Sequence, residues 1–366
     1  MEINLIQSLI IITLYLLLCA VFAIVAKFNI KKYHKIRTST IFVFSLLFTA
    51  LNVLCTIFSK DLNGTYISDR QNYFVEFNGI RNTSTGLSAI FQLAHWLGTG
   101  FDSVLYITTF LTFFLTLYSM RNTKTIAPVI FILCTDFIFI SFHRLKQSLA
   151  CAFGSVYLMN VLENGLKKKR IANILLLVAS ILLHPASFIL IFATIITMAR
   201  PKARKNIFIE ILLISTTLFF LTEIIEFIAT NTASIIPSLS QRIHSYLLEE
   251  STTLSTSFIR GIPIYCIVIF GAINTLNNKN PKSDEALAYF TLSIFTSIIY
   301  IVSVKSYWIY RLADYFIVPI AMYFGYLYRQ SEGNDKKNSP LLLILILQSF
   351  MTIRWIILMY INYNGF

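Results

Sequence analysis

Charge is scarce in this sequence. Asp, Glu, Lys and Arg together make up 13 % of its 366 residues, whereas a soluble domain carries about 25 %. A chain so poor in charge has far more apolar surface than a soluble core needs, which excludes an ordinary water-soluble domain. Cysteine is scarce as well. Cys19, Cys55, Cys134, Cys151 and Cys266 all lie inside apolar runs, and no two form a close pair. A disulfide framework and a metal-binding spacing are therefore excluded, and the five read as small buried hydrophobes. There is no P-loop, no GxGxxG, no HExxH and no nucleophile elbow. Internal repeats and low-complexity tracts are missing, and no polar stretch is long enough to fold alone.

What the sequence does have is hydrophobic length. Hydrophobic residues make up 56 % of the chain, and a helix needs about 20 of them in a row to cross the hydrocarbon layer. Runs of that kind recur from Leu5 to Ile361. They place segments at about 5–26, 39–58, 100–119, 126–142, 147–162, 171–183, 186–199, 207–229, 260–276, 287–303, 312–328 and 340–361. The expected fold is all-α: a polytopic integral membrane protein with about ten to twelve transmembrane segments, forming one membrane domain over residues 1–366. The first run, Leu5 to Ala26, is too long for a signal-peptide core and lacks a basic leader, so it reads as a membrane helix. The 32 Phe and 19 Tyr supply rings for interfacial belts.

The net charge of +13 points to membrane topology rather than nucleic acid, because the basic residues sit in short clusters between apolar runs. Lys27, Lys31, Lys32, Lys35 and Arg37 form the first. Arg121 and Lys124, Lys167 to Arg170, Arg200 to Lys205, Lys279 with Lys282, and Arg329 with Lys336 and Lys337 form the rest. These clusters hold most of the 30 Lys and Arg, and the positive-inside rule puts them in the cytoplasm. The stretch 171–199 has four basic residues on each flank. Two short segments turning at His184-Pro185 keep both flanks on one side, and both termini then face outward. Loops at about 60–99 and 230–259, with the joints near Arg144, His184 and Arg311, form the outer face.

The outer face holds the chemically interesting residues. In Phe142-His143-Arg144-Leu145-Lys146-Gln147-Ser148, two cations and a histidine sit where two segments meet. Ionisable groups at membrane depth mark polar cavities, and a guanidinium there can grip phosphate oxygens through two parallel bonds. The alternative is a basic residue snorkelling to headgroups. His184 precedes Pro185 inside an apolar stretch, where a broken helix lines a cavity. It is a candidate base or phosphate donor, or else a histidine bonded to a neighbouring helix. Arg311 and Asp314 stand three residues apart, as a second anion site or as a local ion pair on one helix face. In the first outer loop Asp69, Tyr73 and Phe77 share helical spacing. Asp69 and Glu76 are candidate bases and Tyr73 a platform for sugar; the alternative is an amphipathic helix on the membrane surface.

In this order, these residues resemble the EpsG/Wzy family of bacterial polysaccharide polymerases. The resemblance runs over roughly residues 60 to 325. It is carried by Asp69 and Tyr73, by Phe142 to Ala150, by Leu183-His184-Pro185-Ala186-Ser187, and by Arg311 with Tyr315-Phe316. The family's Arg-Gln step is Lys146-Gln147 here, with Arg144 two residues earlier, and lysine lacks arginine's planar fork.

The resemblance implies a fold similar to the multi-helix lipid-donor glycosyltransferases. It implies a metal-independent membrane glycosyltransferase without a cofactor, seated in the bacterial inner membrane. Its substrates are undecaprenyl-diphosphate-linked oligosaccharide repeats, for an O-antigen of lipopolysaccharide or a related surface polysaccharide. The growing glycan is transferred on the periplasmic side to a new lipid-linked unit. Implied partners are that lipid-linked glycan, the bilayer and a chain-length regulator, with no nucleic acid. Implied roles are catalytic for His184, Asp69 and Glu76, diphosphate-binding for Arg144, Lys146 and Arg311, and glycan-binding for Tyr73, Arg81, Gln147 and Tyr315. A transporter or flippase of a lipid-linked or anionic substrate, or an acyltransferase acting on glycans, is the competing reading.

Overall fold

A computed structural model describes residues 2–58, 69–80, 84–135, 144–165, 168–198, 254–277, 284–303, 307–331 and 335–363, together with residues 216 and 220. Among the described residues there is helix and no strand. Thirteen α-helices follow in order. They are α1 (Glu2–Tyr33), α2 (Thr38–Phe58), α3 (Asp69–Phe77), α4 (Thr85–Trp96), α5 (Phe101–Ser119), α6 (Ala127–Leu133) and α7 (Leu145–Asn164). Then come α8 (Arg170–Leu183), α9 (Ile189–Met198), α10 (Leu254–Asn277), α11 (Asp284–Val302), α12 (Ile317–Ser331) and α13 (Asp335–Tyr363). The residues Ile10–Tyr33 of α1, with α5 and α11, are long and apolar enough to cross a membrane. The expected all-α membrane fold is the one observed. The expected segment 207–229 and the loop residues 230–253 lie outside the described residues, as do 136–143 of the segment expected at 126–142.

Helix ends follow local chemistry. Pro128 stands in the first turn of α6, where its missing N–H leaves no bond unmade. Gly165 closes α7 at φ 73°, a backbone state that suits glycine. Pro185 stops α8, and the residue before it, His184, is extended at φ −150° and ψ 119°.

The stretch 171–199 divides as its proline requires. Ser180 donates to the Ala150 carbonyl at 2.8 Å, Leu190 packs on Gly154, and Tyr157 and Thr194 share a hydrogen bond at 3.0 Å. Along α7, contacts therefore run down with α8 and up again with α9, so the chain reverses at His184. The 14 residues of α8 rise about 21 Å, less than the ~30 Å of hydrocarbon. Both short helices lean on α7, whose residues are buried along most of its length.

One expected element differs. The run from residue 312 to 328 does not start as an α-helix. Tyr307–Phe316 forms a 3-10 segment, and the α-helix begins at Ile317. A 3-10 helix repeats every three residues. Buried Ile309, Leu312 and Tyr315 form one row in that period, and buried Tyr310, Ala313 and Phe316 form a second. Packing on two sides at once favours the tighter winding.

The first three basic loops share one end of the bundle. The Ile36 amide donates to the Arg121 carbonyl at 2.9 Å, tying the α1–α2 and α5–α6 connections together. Asn122 donates to Glu163 at 2.9 Å, adding the end of α7. Gly325 of α12 packs against Pro128 and Thr125. At the other end α3 and α4 form a cap. Tyr73 and Phe77 join Leu87, Phe91, Phe101, Val104, Leu105 and Leu145 in a small apolar cluster. Arg70, 2 % exposed, anchors α3 by donating to Asn52 at 2.9 Å. Thus α3 is packed into the fold rather than floating on a membrane surface. Gly86 lets α4 touch α8: a Cβ there would come within 2.9 Å of the Leu182 carbonyl carbon.

Candidate functional site

The capped end of the bundle gathers five separate stretches of chain. They are α3, the start of α7, the turn at His184, the start of α10 and the 3-10 segment Tyr307–Phe316. Lys146 lies just inside the first turn of α7. Its ammonium donates to both carboxylate oxygens of Glu76 at 3.1 Å and stands 5.2 Å over the Tyr73 ring. Glu76, Tyr73 and Lys146 therefore form one unit, joining the first outer loop to α7 across 70 residues of sequence.

Arg144 and Gln147 face the 3-10 segment. Arg144 Nη1 reaches Asp314 at 3.4 Å, and Gln147 Nε2 donates to Asp314 at 2.7 Å and to the Arg311 carbonyl at 2.9 Å. Asp314 thus binds residues of α7 and makes no ion pair with Arg311. The local Arg311–Asp314 pair weighed from spacing does not form. Gln147 is buried and spends both amide N–H groups on this segment, so it braces the stretch that presents Arg311.

Arg311 is left differently placed. Its Nε is buried and has no hydrogen-bond partner among the described residues. Buried polar groups are nearly always bonded, and a guanidinium N–H beside other cations suits an anionic oxygen.

His184 is half-buried and sits against the same segment. Its Nδ1 lies 3.3 Å from the Tyr315 hydroxyl. The Ser180 hydroxyl, which donates to the Ala150 carbonyl, lies 2.8 Å from the Ser187 hydroxyl, and that hydroxyl lies 3.0 Å from the Tyr315 hydroxyl. With Tyr315 donating to Nδ1, the proton of a neutral imidazole stands on Nε2; with Nδ1 donating to Tyr315, the lone pair stands there instead. Arg311, Lys146 and Arg144 all lie near enough to act on the ring through their charge. Tyr315 is fully buried, so it positions His184 from behind and offers no face to solvent.

Of the residues singled out from sequence, His184, Glu76, Tyr73, Arg144, Lys146, Gln147, Arg311 and Tyr315 converge here. Arg81 lies outside the described residues. Asp69 opens α3, but its side chain lies outside them too. Sequence reasoning missed Arg260, whose guanidinium stands 5.1 Å over the Tyr310 ring while Arg144 stands 4.9 Å over the same ring. A lone arginine at the start of the apolar run 260–276 was the available signal. Among the described residues no group of three or more His, Cys, Asp or Glu is placed to hold a metal ion.

A family model described as the EpsG family matches residues 64–365. No curated protein matches the chain, and no solved structure does.

Proposed function

The chain belongs to the EpsG family, and from that premise we propose that it polymerises undecaprenyl-diphosphate-linked oligosaccharide repeats into an O-antigen or related surface polysaccharide. The family and the apolar helices together indicate an integral membrane protein of polysaccharide-polymerase type. The lipid carrier, the inner-membrane location and a site on the periplasmic side are the further parts of the reading. A chain-length regulator as partner, no metal and no cofactor complete it.

One observation carries the proposal. Arg144 and Lys146 at the start of α7 and Arg311 of the 3-10 segment meet at one end of the bundle, and the Arg311 Nε–H has no partner among the described residues. A lipid-linked diphosphate presents its charge at the headgroup level, and this end offers cations to receive it.

In the proposed reaction the acceptor hydroxyl oxygen bonds to the anomeric carbon of the donor glycan. The bond from that carbon to the diphosphate oxygen breaks, and undecaprenyl diphosphate leaves with the electron pair. Charge builds on the leaving group, where fixed donors act most strongly. Arg311 and the Nε2–H of His184 are the donors with capacity for it, and Arg144 and Lys146 add positive field. The acceptor proton passes to a base, for which Glu76 and Asp69 are the candidates on α3; His184 takes that role if its lone pair is on Nε2 instead. Tyr73 and Arg81 belong to the glycan side of the site. Gln147 and Tyr315 act through the residues they hold.

The test is polymerisation by the purified protein in lipid, supplied only with a lipid-linked repeat unit. A ladder of lengthened glycans is expected. Movement of substrate across the bilayer without lengthening would instead establish a transporter, and dependence on an acyl donor an acyltransferase.

A further inference from the structure

We infer that Arg260 is an additional phosphate-binding residue, and that the Arg144–Tyr310–Arg260 stack makes the site prefer a diphosphate to a monophosphate. The inference rests on the reading of this end as a lipid-diphosphate site, and it adds a residue and a selectivity to that reading.

The first support is the charge count. Among the described residues of the cluster there are four cations, Arg144, Lys146, Arg260 and Arg311, and two carboxylates, Glu76 and Asp314. The carboxylates are engaged with Lys146 and Arg144. Among the described residues the buried Nε of Arg311 has no partner, and the contact shown for Arg260 is with an aromatic ring. Two positive charges in excess, half-buried at the edge of a bilayer, are costly until an anion joins them. A diphosphate spreads its negative charge over two phosphoryl groups, where a monophosphate carries it on one.

The second support is the mounting. Tyr310 is 2 % exposed, so its ring is a fixed platform. Guanidinium carbons 4.9 and 5.1 Å from one ring centroid lie within about 10 Å of each other. A guanidinium held over an aromatic ring keeps N–H groups for oxygen acceptors. The ring gathers two guanidiniums in one place, so that each can meet a different phosphoryl group of one diphosphate through charge-assisted bonds of about 2.8 Å. Arg260 is itself rigidly carried. The next residue is Gly261, where a Cβ would come within 2.9 Å of Tyr300 Cβ on α11, so α10 is pressed against its neighbour at this level. A single phosphoryl group satisfies Arg311 and one face of the cluster but leaves Arg260 unused.

The experiment measures binding of undecaprenyl diphosphate and of undecaprenyl monophosphate to the full-length protein in lipid nanodiscs. Arg260→Ala and Arg260→Gln should each weaken diphosphate binding by about tenfold or more, while monophosphate binding changes by less than about twofold. Arg260→Lys should recover part of the loss, and Tyr310→Leu should reproduce it. Arg311→Ala should weaken both ligands. Diphosphate binding by both neutral Arg260 variants at the wild-type level would overturn the role of Arg260. Equal weakening of both lipids would overturn the selectivity. Wild-type protein that binds neither lipid would overturn the diphosphate reading itself, and the role of Arg260 with it.

Discussion

At the end of the bundle that gathers the basic loops, cations contact their own neighbours in sequence. Lys32 lies over the rings of Phe28 and Tyr33, Arg37 over Tyr33, and Arg121 over Tyr118 at 4.0 Å. Lys27, Lys31, Lys32, Lys35 and Arg37 are all exposed. At the other end, Lys146 and Arg144 reach carboxylates 70 and 170 residues away. The residue types are the same, and only the range of their contacts differs. Local stacking with exposure is what a topology signal needs, since such a charge only has to remain in water or among headgroups. Long-range pairing across packed helices holds a charge at a defined point, as a binding site requires.

The comparison breaks first on topology, where the outcome is all-or-none. Single cysteines at positions 32 and 168 should resist an impermeant thiol reagent in intact cells, while a cysteine at position 76 should react. Labelling of position 168 from outside would put the two ends on the wrong sides.

The next largest effect belongs to Arg311. Replacing it by Ala should lower polymer formation by about 10²- to 10³-fold, the usual loss when a donor to developing charge is removed. Lys at this position should restore only part, because the fork is lost. Polymer yield at equal membrane protein is the readout, and a normal yield from the Ala variant would make Arg311 structural.

For His184, Ala should lower the rate by about a hundredfold. Gln should stay within about tenfold of wild type if the imidazole acts by donating from Nε2, since an amide also donates. Equal loss in both variants would mean that His184 takes a proton, with Nδ1 donating to Tyr315.

The Lys146–Glu76 pair sharpens the comparison at a smaller scale. Glu76→Gln should reduce polymerisation by about tenfold, as for a loosened charge-assisted contact. Exchanging the pair, with Glu at 146 and Lys at 76, should recover stability in a melting assay but not activity. Recovery of both would show that only the tether matters.

The smallest effect is expected at the basic-loop end. Lys32→Gln with Arg37→Gln should change polymer yield by less than about twofold and stability by a few tenths of a kcal/mol, as for exposed charges elsewhere. A loss comparable to that of Arg311 would abolish the distinction between the ends.

Much of the fold was legible in advance. The runs placed at 39–58, 100–119 and 171–183 became Thr38–Phe58, Phe101–Ser119 and Arg170–Leu183. Apolar length is a local property, and the bilayer demands the same of every segment. The turn at His184 was legible because proline forbids the next helical bond wherever it stands. The 3-10 segment Tyr307–Phe316 was not legible, because its apolar and aromatic residues also suit an α-helix. Only simultaneous packing against α7 and α11 selects the tighter period.

The candidate site was half legible. Its residues could be named because ionisable groups beside apolar runs are rare, but their partners could not. Arg311 and Asp314, three apart, invited a local pair, and Asp314 went to Arg144 and Gln147 instead. Arg260 drew no attention, since nothing in its own neighbourhood shows that Tyr310 will carry it. The sequence by itself determined that this is a helical membrane protein and where most of its described segments lie. Those properties depend on hydropathy and charge counted along the chain. Which cations are neutralised, which hydroxyls orient His184 and which guanidinium keeps an unsatisfied N–H were decided by tertiary structure. Those depend on distances between residues as much as 170 apart, which the packing of α3, α7, α10 and the 3-10 segment alone sets.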